Sequence, residues 1–541
     1  MMAFSLQSIP IYLYGTVLVL VCIYGLHRYQ LVYLYYKHRR NRPELLACFR
    51  ELPRVTIQLP MYNERYVARR VIEAAAAIEY PRDRLQIQVL DDSTDDTVQI
   101  AADTVARLRA AGIDIVHLHR TDRTGYKAGA LEAGLASATG ELVSIFDADF
   151  IPPARMLYET IHYFTDPQVG MVQARWEHLN RDLSLLTKTQ AVLLDGHFVI
   201  EHGARNRSGR FMSFNGTAGI WRKSCIADAG SWQHDTLTED LDLSYRAQLR
   251  GWRFIFLPEL ASPAELPPEI EAFKAQQHRW AKGGAQTCRK LLVRVMRSQL
   301  PWRVKLEAFF HLTSCLVHLL IVLLMLLLYP VLYIKLAWAN AAVPGGWMID
   351  ASLFLVATCS ASCFYACSQR ELFRTWSDSL KYLPFLMSLG VGVSINNGLA
   401  VLDGLFGGAS EFVRTPKFGV ATSSDQEWKK RTVYRRKLRS SILPFLELGM
   451  GVFMFGCLLL CVQAGDIGIG APFMAMFTIG YWYVGGSTLM LRYAAHKAES
   501  AASTAIQTPP PQSATLSRNA EEVTFREPES LTFSRNAEGV R

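Results

Sequence analysis

The stretch Leu85-Gln86-Ile87-Gln88-Val89-Leu90-Asp91-Asp92-Ser93-Thr94-Asp95-Asp96 decides the fold, because an apolar strand pattern runs without a linker into a cluster of carboxylates. The arrangement recurs at Leu142-Val143-Ser144-Ile145-Phe146, which closes in Asp147-Ala148-Asp149. Upstream, Arg54-Val55-Thr56-Ile57-Gln58-Leu59-Pro60 reads as a buried strand, and Met61-Tyr62-Asn63-Glu64 turns into an alanine-rich helix through Glu79. Between and beyond these lie a helical stretch to Ala111, a short strand near residues 113–118, a helix from about Lys127 and a strand at 254–257. Strands alternating with helices predict an α/β domain with a largely parallel sheet whose ligand-binding loops sit at the strand C-termini. The acidic residues fall at those ends.

Neither a Gly-x-Gly-x-x-Gly nor a Walker loop occurs, so dinucleotide dehydrogenase and ATPase readings lose their main support. Asp-x-Asp after a buried strand suits a divalent cation, which takes hard oxygen ligands and neutralises a diphosphate leaving group. A second constellation spans residues 237–280. Thr238-Glu239-Asp240 precedes Leu241-Asp242-Leu243-Ser244-Tyr245-Arg246, so at least one carboxylate can sit at a helix start and face a cleft. Gln276, Arg279 and Trp280 stand at i, i+3 and i+4 and share one helix face. A base, a phosphate clamp and a sugar platform are what glycosyl transfer needs.

The 541 residues are 50% hydrophobic, with a mean hydropathy of +0.11 and a formal charge of +9. The apolar residues concentrate near the N-terminus and after Phe309, leaving 44–305 as a mixed soluble domain. Residues 11–36 exceed the roughly 20 needed to cross a bilayer and end in Lys37-His38-Arg39-Arg40-Asn41-Arg42, a basic stop that places the following domain in the cytoplasm. No basic region precedes them, so they read as an anchor and not a cleaved signal. Further apolar segments lie at 309–338, 347–367, 380–406, 441–463 and 468–491. Were all to cross, Lys429-Lys430-Arg431 and Arg435-Arg436-Lys437-Leu438-Arg439 would lie outside, against the positive-inside rule. Segment 380–406, with Pro384, Asn396-Asn397 and Asp403, is therefore read as a re-entrant or interfacial path, which leaves one span before and four after the catalytic domain. The ten cysteines lie mostly in or beside apolar segments, and no Cys-x-x-Cys pair or Cys/His cluster has zinc-ligand spacing, so structural zinc is not indicated.

In order along the chain, Pro60-Met61-Tyr62-Asn63-Glu64, Asp91-Asp92-Ser93, Lys127-Ala128-Gly129-Ala130-Leu131, Asp147-Ala148-Asp149, Val172-Gln173-Ala174-Arg175-Trp176, Phe214-Asn215-Gly216-Thr217-Ala218-Gly219, Thr238-Glu239-Asp240 and Gln276-x-x-Arg279-Trp280 make a set. The set resembles the motifs of processive family-2 glycosyltransferases, the inverting membrane enzymes that include cellulose, hyaluronan and chitin synthases. Phe-Asn-Gly-Thr-Ala-Gly and Gln-Gln-His-Arg-Trp most resemble the plant cellulose-synthase-like mannan and glucan synthases and their bacterial relatives.

The resemblance implies a GT-A type nucleotide-sugar-binding domain inserted between α-helical transmembrane segments. It implies that Asp91 or Asp92 contacts the base and ribose, that Lys127 lies near the nucleotide, and that Asp147 and Asp149 bind the diphosphate and its Mg²⁺ or Mn²⁺. Asp240, beside Glu239, would be the general base, and Gln276 and Arg279 would hold the diphosphate. Trp280 would floor the acceptor sugar, with Phe214, Gly216 and Thr217 lining the acceptor side. The segment Glu411-Phe412-Val413-Arg414-Thr415-Pro416-Lys417 resembles the Phe-x-Val-Thr-x-Lys gating loop of cellulose synthases, with Pro416 interrupting the pattern and Arg414 before the threonine.

The implied organisation is an anchor (1–42), a cytoplasmic transferase domain (43–270), interfacial helices (271–305), spans with the re-entrant segment (306–406), a basic gating-like loop (407–440), two further spans (441–495) and a disordered tail (496–541). The expected partners are a nucleotide sugar, GDP-mannose or UDP-glucose, a growing glycan or a lipid acceptor, and membrane lipids, with no nucleic acid. The expected location is the plasma (inner) membrane. A transferase adding sugar to a lipid such as diacylglycerol is the rival enzyme, and a nucleotide-sugar-binding transporter or scaffold the rival from another class.

Overall fold

The computed structural model describes residues 9–337, 346–375, 377–408, 411–420, 428, 441–463 and 470–507. The basic runs at 429–431 and 435–439, on which the predicted topology turns, and the tail from 508 lie outside the described residues.

Among the described residues the seven strands are β1 (Val55–Met61), β2 (Leu85–Asp91), β3 (Ile115–His119), β4 (Leu142–Ile145), β5 (Val169–His178), β6 (Gly219–Arg222) and β7 (Arg253–Ala264). They form one sheet in the order β3-β2-β1-β4-β6-β5-β7. The pairings β1 with β2, β1 with β4 and β2 with β3 are parallel, as the alternation of strands and helices predicts. β5 and β6 were not legible as strands, and β6 runs antiparallel to both its neighbours. β6 is four residues long and follows the Phe214–Gly219 motif, which reads as a turn. Its reversal carries that turn back to the carboxyl end of β4, where Ala218 N donates to Ile145 O at 2.8 Å.

Period-two alternation splits each strand between the two faces of the sheet. Val55, Ile57 and Leu59 of β1 and Ile87 and Val89 of β2 enter one apolar cluster, which the helices Ala68–Ala76 and Thr97–Ala110 cover. The intervening positions carry a buried polar ladder, with Thr56 Oγ1 donating to Gln86 Oε1 at 2.9 Å and Gln58 Nε2 to Gln88 Oε1 at 3.0 Å. These side-chain bonds tie β1 to β2 in addition to the backbone pairing.

Among the described residues, three helices are long and apolar enough to cross a membrane: Ile9–His38, Trp302–Ile334 and Leu443–Gln463. The predicted boundary at 305 falls inside the second of them. The other two predicted spans fold as the helices Gly346–Phe373 and Gly470–Gln507. The latter runs past residue 495, where the sequence reading began a disordered tail; Ala494-Ala495-His496-Lys497-Ala498-Glu499 are mostly strong helix formers and continue it. Segment 380–406 folds into the helices Leu383–Gly392 and Ser394–Phe406, bent by 46° against each other. Its polar residues face protein. Asn396 Nδ2 donates to Lys274 O at 3.1 Å, Asn397 meets His318 at 3.2 Å, and Asp403 pairs with Lys282.

Candidate active site

A cleft opens at the carboxyl ends of β1, β2 and β4, between the sheet and the helix Ile270–Arg297. Asp92, Lys127, Asp147, Asp149, Gly216, Glu239, Asp240, Gln276, Arg279 and Trp280 all line it. Residues separated by nearly 200 positions thus meet around one space.

Glu239 and Asp240 open the helix Glu239–Leu249, as their sequence position predicts. The turn before them is braced by the Ile270–Arg297 helix: Leu237 N donates to Gln286 Oε1 at 2.9 Å, and Thr238 meets Thr287 at 3.1 Å. Gly283 allows this approach, since a Cβ there would stand 2.6 Å from Thr238 Cγ2. One helix therefore carries Trp280 and also fixes the turn that presents Asp240.

Lys127 knits the acidic groups together. Its Nζ lies 2.6 Å from Asp147 Oδ1 and 3.9 Å from Glu239 Oε1, and it donates to Gly216 O at 2.9 Å. Burial opposes its charge, but Asp147 and Glu239 outweigh burial and hold the pKa above the ordinary lysine value. Burial first, and then the Glu239 charge, push Asp240 up to about 7. Burial also raises Glu239, with Lys127 opposing. Gly216 has φ +80°, and a Cβ would sit 3.0 Å from Asp240 Oδ2 and 3.2 Å from Lys127 Nζ, so only glycine suits the position.

Three expected site residues are placed differently from the rest. Asp91 is fully buried beneath the cleft, its Oδ1 accepting from Ser93 N at 2.8 Å and its Oδ2 lying 2.9 Å from His117 Nε2. Asp92 is the member of the pair that reaches the cleft, gripped by Arg120 through Nε at 2.8 Å and Nη2 at 2.6 Å. Thr217 lies behind the wall, where its Oγ1 accepts from Asp147 N at 2.9 Å and so sets that loop. Phe214 lines a second cavity, which continues from Asp240 and Trp280 past His197 and Glu201 to Arg28, Phe364 and Tyr365 on the apolar helices. Asp240 and Trp280 border both spaces.

The segment 411–420 lies across the cleft as a strap. Phe412 stacks on Tyr126 at 6.1 Å and lies under the Arg279 guanidinium at 4.7 Å. Arg414 meets Glu64 at 2.7 Å, and Lys417 Nζ donates to Asp149 Oδ2 at 2.6 Å. Glu265 accepts from the amides of Phe418, Gly419 and Val420 at 2.9, 2.9 and 3.2 Å. Burial pushes Glu64 and Glu265 each up to about 7. Sequence reasoning gave Glu64 no role beyond its motif and missed Glu265 altogether, whose flanking prolines and alanine carry no signal.

The family model for glycosyltransferase-like family 2 matches residues 53–283. Glucomannan 4-beta-mannosyltransferase 2 of Arabidopsis thaliana is 36% identical over 423 residues, covering 75% of each chain. Glucomannan 4-beta-mannosyltransferase 1 of Oryza sativa subsp. japonica is 35% identical over 422 residues, covering 75% of this chain and 77% of the relative. A solved structure of the mannosyltransferase PcManGT from Pyrobaculum calidifontis in complex with GDP-Man and Mn2+ is 20% identical at a TM-score of 0.49, covering 73% of this chain and 99% of that one.

Proposed function

From the premise that this chain belongs to glycosyltransferase family 2 and is a nucleotide-sugar-dependent transferase, we propose that it extends a β-1,4-linked mannan, glucan or glucomannan chain at the membrane. The donor would be GDP-mannose or UDP-glucose. The observation that carries this reading is the position of Asp240 and Trp280 between two spaces, one bordered by phosphate-binding chemistry and one leading to apolar helices.

The donor diphosphate would lie against Arg279 and Gln276, and its nucleoside toward Asp92. Asp240 would accept the proton of the acceptor hydroxyl as that oxygen attacks the anomeric carbon from the face opposite the leaving diphosphate, which inverts the configuration. A carboxylate pushed to about 7 is more basic than a free aspartate and is suited to that transfer. Trp280 would stack under the terminal acceptor sugar, and the lengthening chain would pass into the second cavity toward Phe364 and Tyr365. Export between the apolar helices, with the transferase domain on the cytoplasmic face of the plasma membrane, completes the reading.

Asp147 and Asp149 fit a divalent cation: each offers hard carboxylate oxygens to the same cleft and spends one of them on a lysine, Lys127 and Lys417 respectively. Bound there, Mg²⁺ or Mn²⁺ would neutralise the leaving diphosphate.

The test incubates the full-length protein in lipid with Mn²⁺ and each labelled nucleotide sugar, with Asp240→Asn as the blank, and separates solvent-soluble lipid from insoluble polymer. We expect label in insoluble material that a β-1,4-mannanase or a cellulase removes. In the Asp240→Asn variant the rate should fall by about 10²–10⁴-fold. Label confined to the lipid phase would overturn the polymer reading, and an unchanged rate in Asp240→Asn would remove Asp240 as the base.

A further inference from the structure

β3 is an edge strand of the sheet, and on it His117 and His119 stand two residues apart, in phase with the buried Ile115. On β2, Asp91 is in phase with Ile87 and Val89, and the register places Asp91 directly opposite His119. The three side chains therefore leave one face of the sheet at neighbouring points. Asp91 Oδ2 lies 2.9 Å from His117 Nε2 and 3.6 Å from His119 Nδ1, and one ligand atom from each residue falls within 4.8 Å of the others.

We propose that Asp91, His117 and His119 bind a zinc-class divalent cation at a site separate from Asp147 and Asp149. A hydrogen-bonded pair accounts for His117 alone, because at 3.6 Å His119 Nδ1 is beyond hydrogen-bond range. Two ring nitrogens converge on one carboxylate oxygen, an arrangement that a cation satisfies and a single proton does not. Metal–ligand bonds of about 2.0–2.2 Å in a tetrahedron set ligand atoms about 3.4 Å apart, and the observed 2.9 and 3.6 Å straddle that spacing. Ser93 N pins the other oxygen of Asp91 at 2.8 Å, the outer-shell contact that fixes a ligating carboxylate in one orientation.

Access is from one side. Asp91 is fully buried, while the His119 side chain is 34% exposed, so the ion enters past His119 and water completes the fourth position. Imidazole donors favour zinc-class ions over Mg²⁺ and Ca²⁺. The ion would fasten β2 to β3 immediately before Asp92, and so hold the wall of the cleft on which the donor nucleoside is read. No cysteine takes part, and the third ligand lies 26 residues from His117, which is why ligand spacing along the chain did not disclose the site.

The test strips the full-length protein in detergent with a chelator, dialyses it against Zn²⁺ and measures retained metal by mass spectrometry. Wild type should retain about one equivalent. His117→Ala/His119→Ala should lose it, and Asp147→Asn/Asp149→Asn should keep it. His119→Ala alone, at a partly exposed position that leaves the core intact, should abolish the visible absorption of four-coordinate Co²⁺ that wild type shows. No retention by wild type, retention unaffected by the histidine variants, or loss in the Asp147/Asp149 variant would each overturn the proposal.

Discussion

Asp240 and Glu239 are neighbours in sequence and in space, and their burial sets the acidity of the site. In its proposed role as the base Asp240 must be ionised, so activity should rise with pH through about 7. Protonation on the acid side then removes the base. The second contribution to the raised value, after burial, is the Glu239 charge, so Glu239→Gln should move the acid limb of kcat/KM to lower pH. A pH–rate profile of the two proteins checks this, and coincident limbs would detach Glu239 from the titration. At the same scale, Asp91 and Asp92 show how one residue of register separates two like side chains. Asp91 continues the inward phase of Ile87 and Val89, while Asp92, just past the strand end, turns to the cleft.

The strap at 411–420 owes its position to carboxylates from three distant elements: Glu64 after β1, Asp149 after β4 and Glu265 after β7. Glu265 takes three consecutive amides of the strap, so none of those donors is orphaned. Above about pH 7, where Glu265 is ionised, hydrogen bonds to its charge contribute about 1.5–3 kcal/mol each. In Glu265→Ala, amide exchange at 418–420 should therefore accelerate by about tenfold or more, with strands β1 and β2 unchanged. Exchange read by mass spectrometry tests this, and unaltered protection would mean that the strap is held by its other contacts.

Across the whole molecule, the Ile270–Arg297 helix joins the transferase domain to the apolar helices. Lys274 Nζ donates to Glu447 Oε2 at 2.8 Å and to Thr488 Oγ1 at 3.4 Å, and the Lys274 and Glu447 side chains are both almost wholly buried. Removing one partner strands the other charge, at a typical cost of about 3–5 kcal/mol, whereas replacing both with apolar residues of similar size is often neutral. Glu447→Ala should therefore lower the thermal midpoint in detergent more than Lys274→Met/Glu447→Met does. Equal losses would show that the pair holds geometry that packing alone cannot supply.

How much of this was legible follows from the range of each interaction. The sequence by itself determined the strand and helix alternation, the carboxylates at the ends of β2 and β4, and the shared face of Gln276, Arg279 and Trp280, because periodicity and helix spacing are local properties. It also marked Asn396, Asn397 and Asp403 in 380–406 as residues that need polar partners wherever they lie. The reversed strand β6 and the partner of Glu265 were not local. They depend on contacts between residues up to 155 positions apart, as Glu265 and Val420 are. Tertiary structure likewise decided that Thr217 braces Asp147 from behind the cleft wall, and that His117 and His119 face Asp91. Strand register across the sheet sets those neighbours, and register is fixed by burying one face of every strand at once.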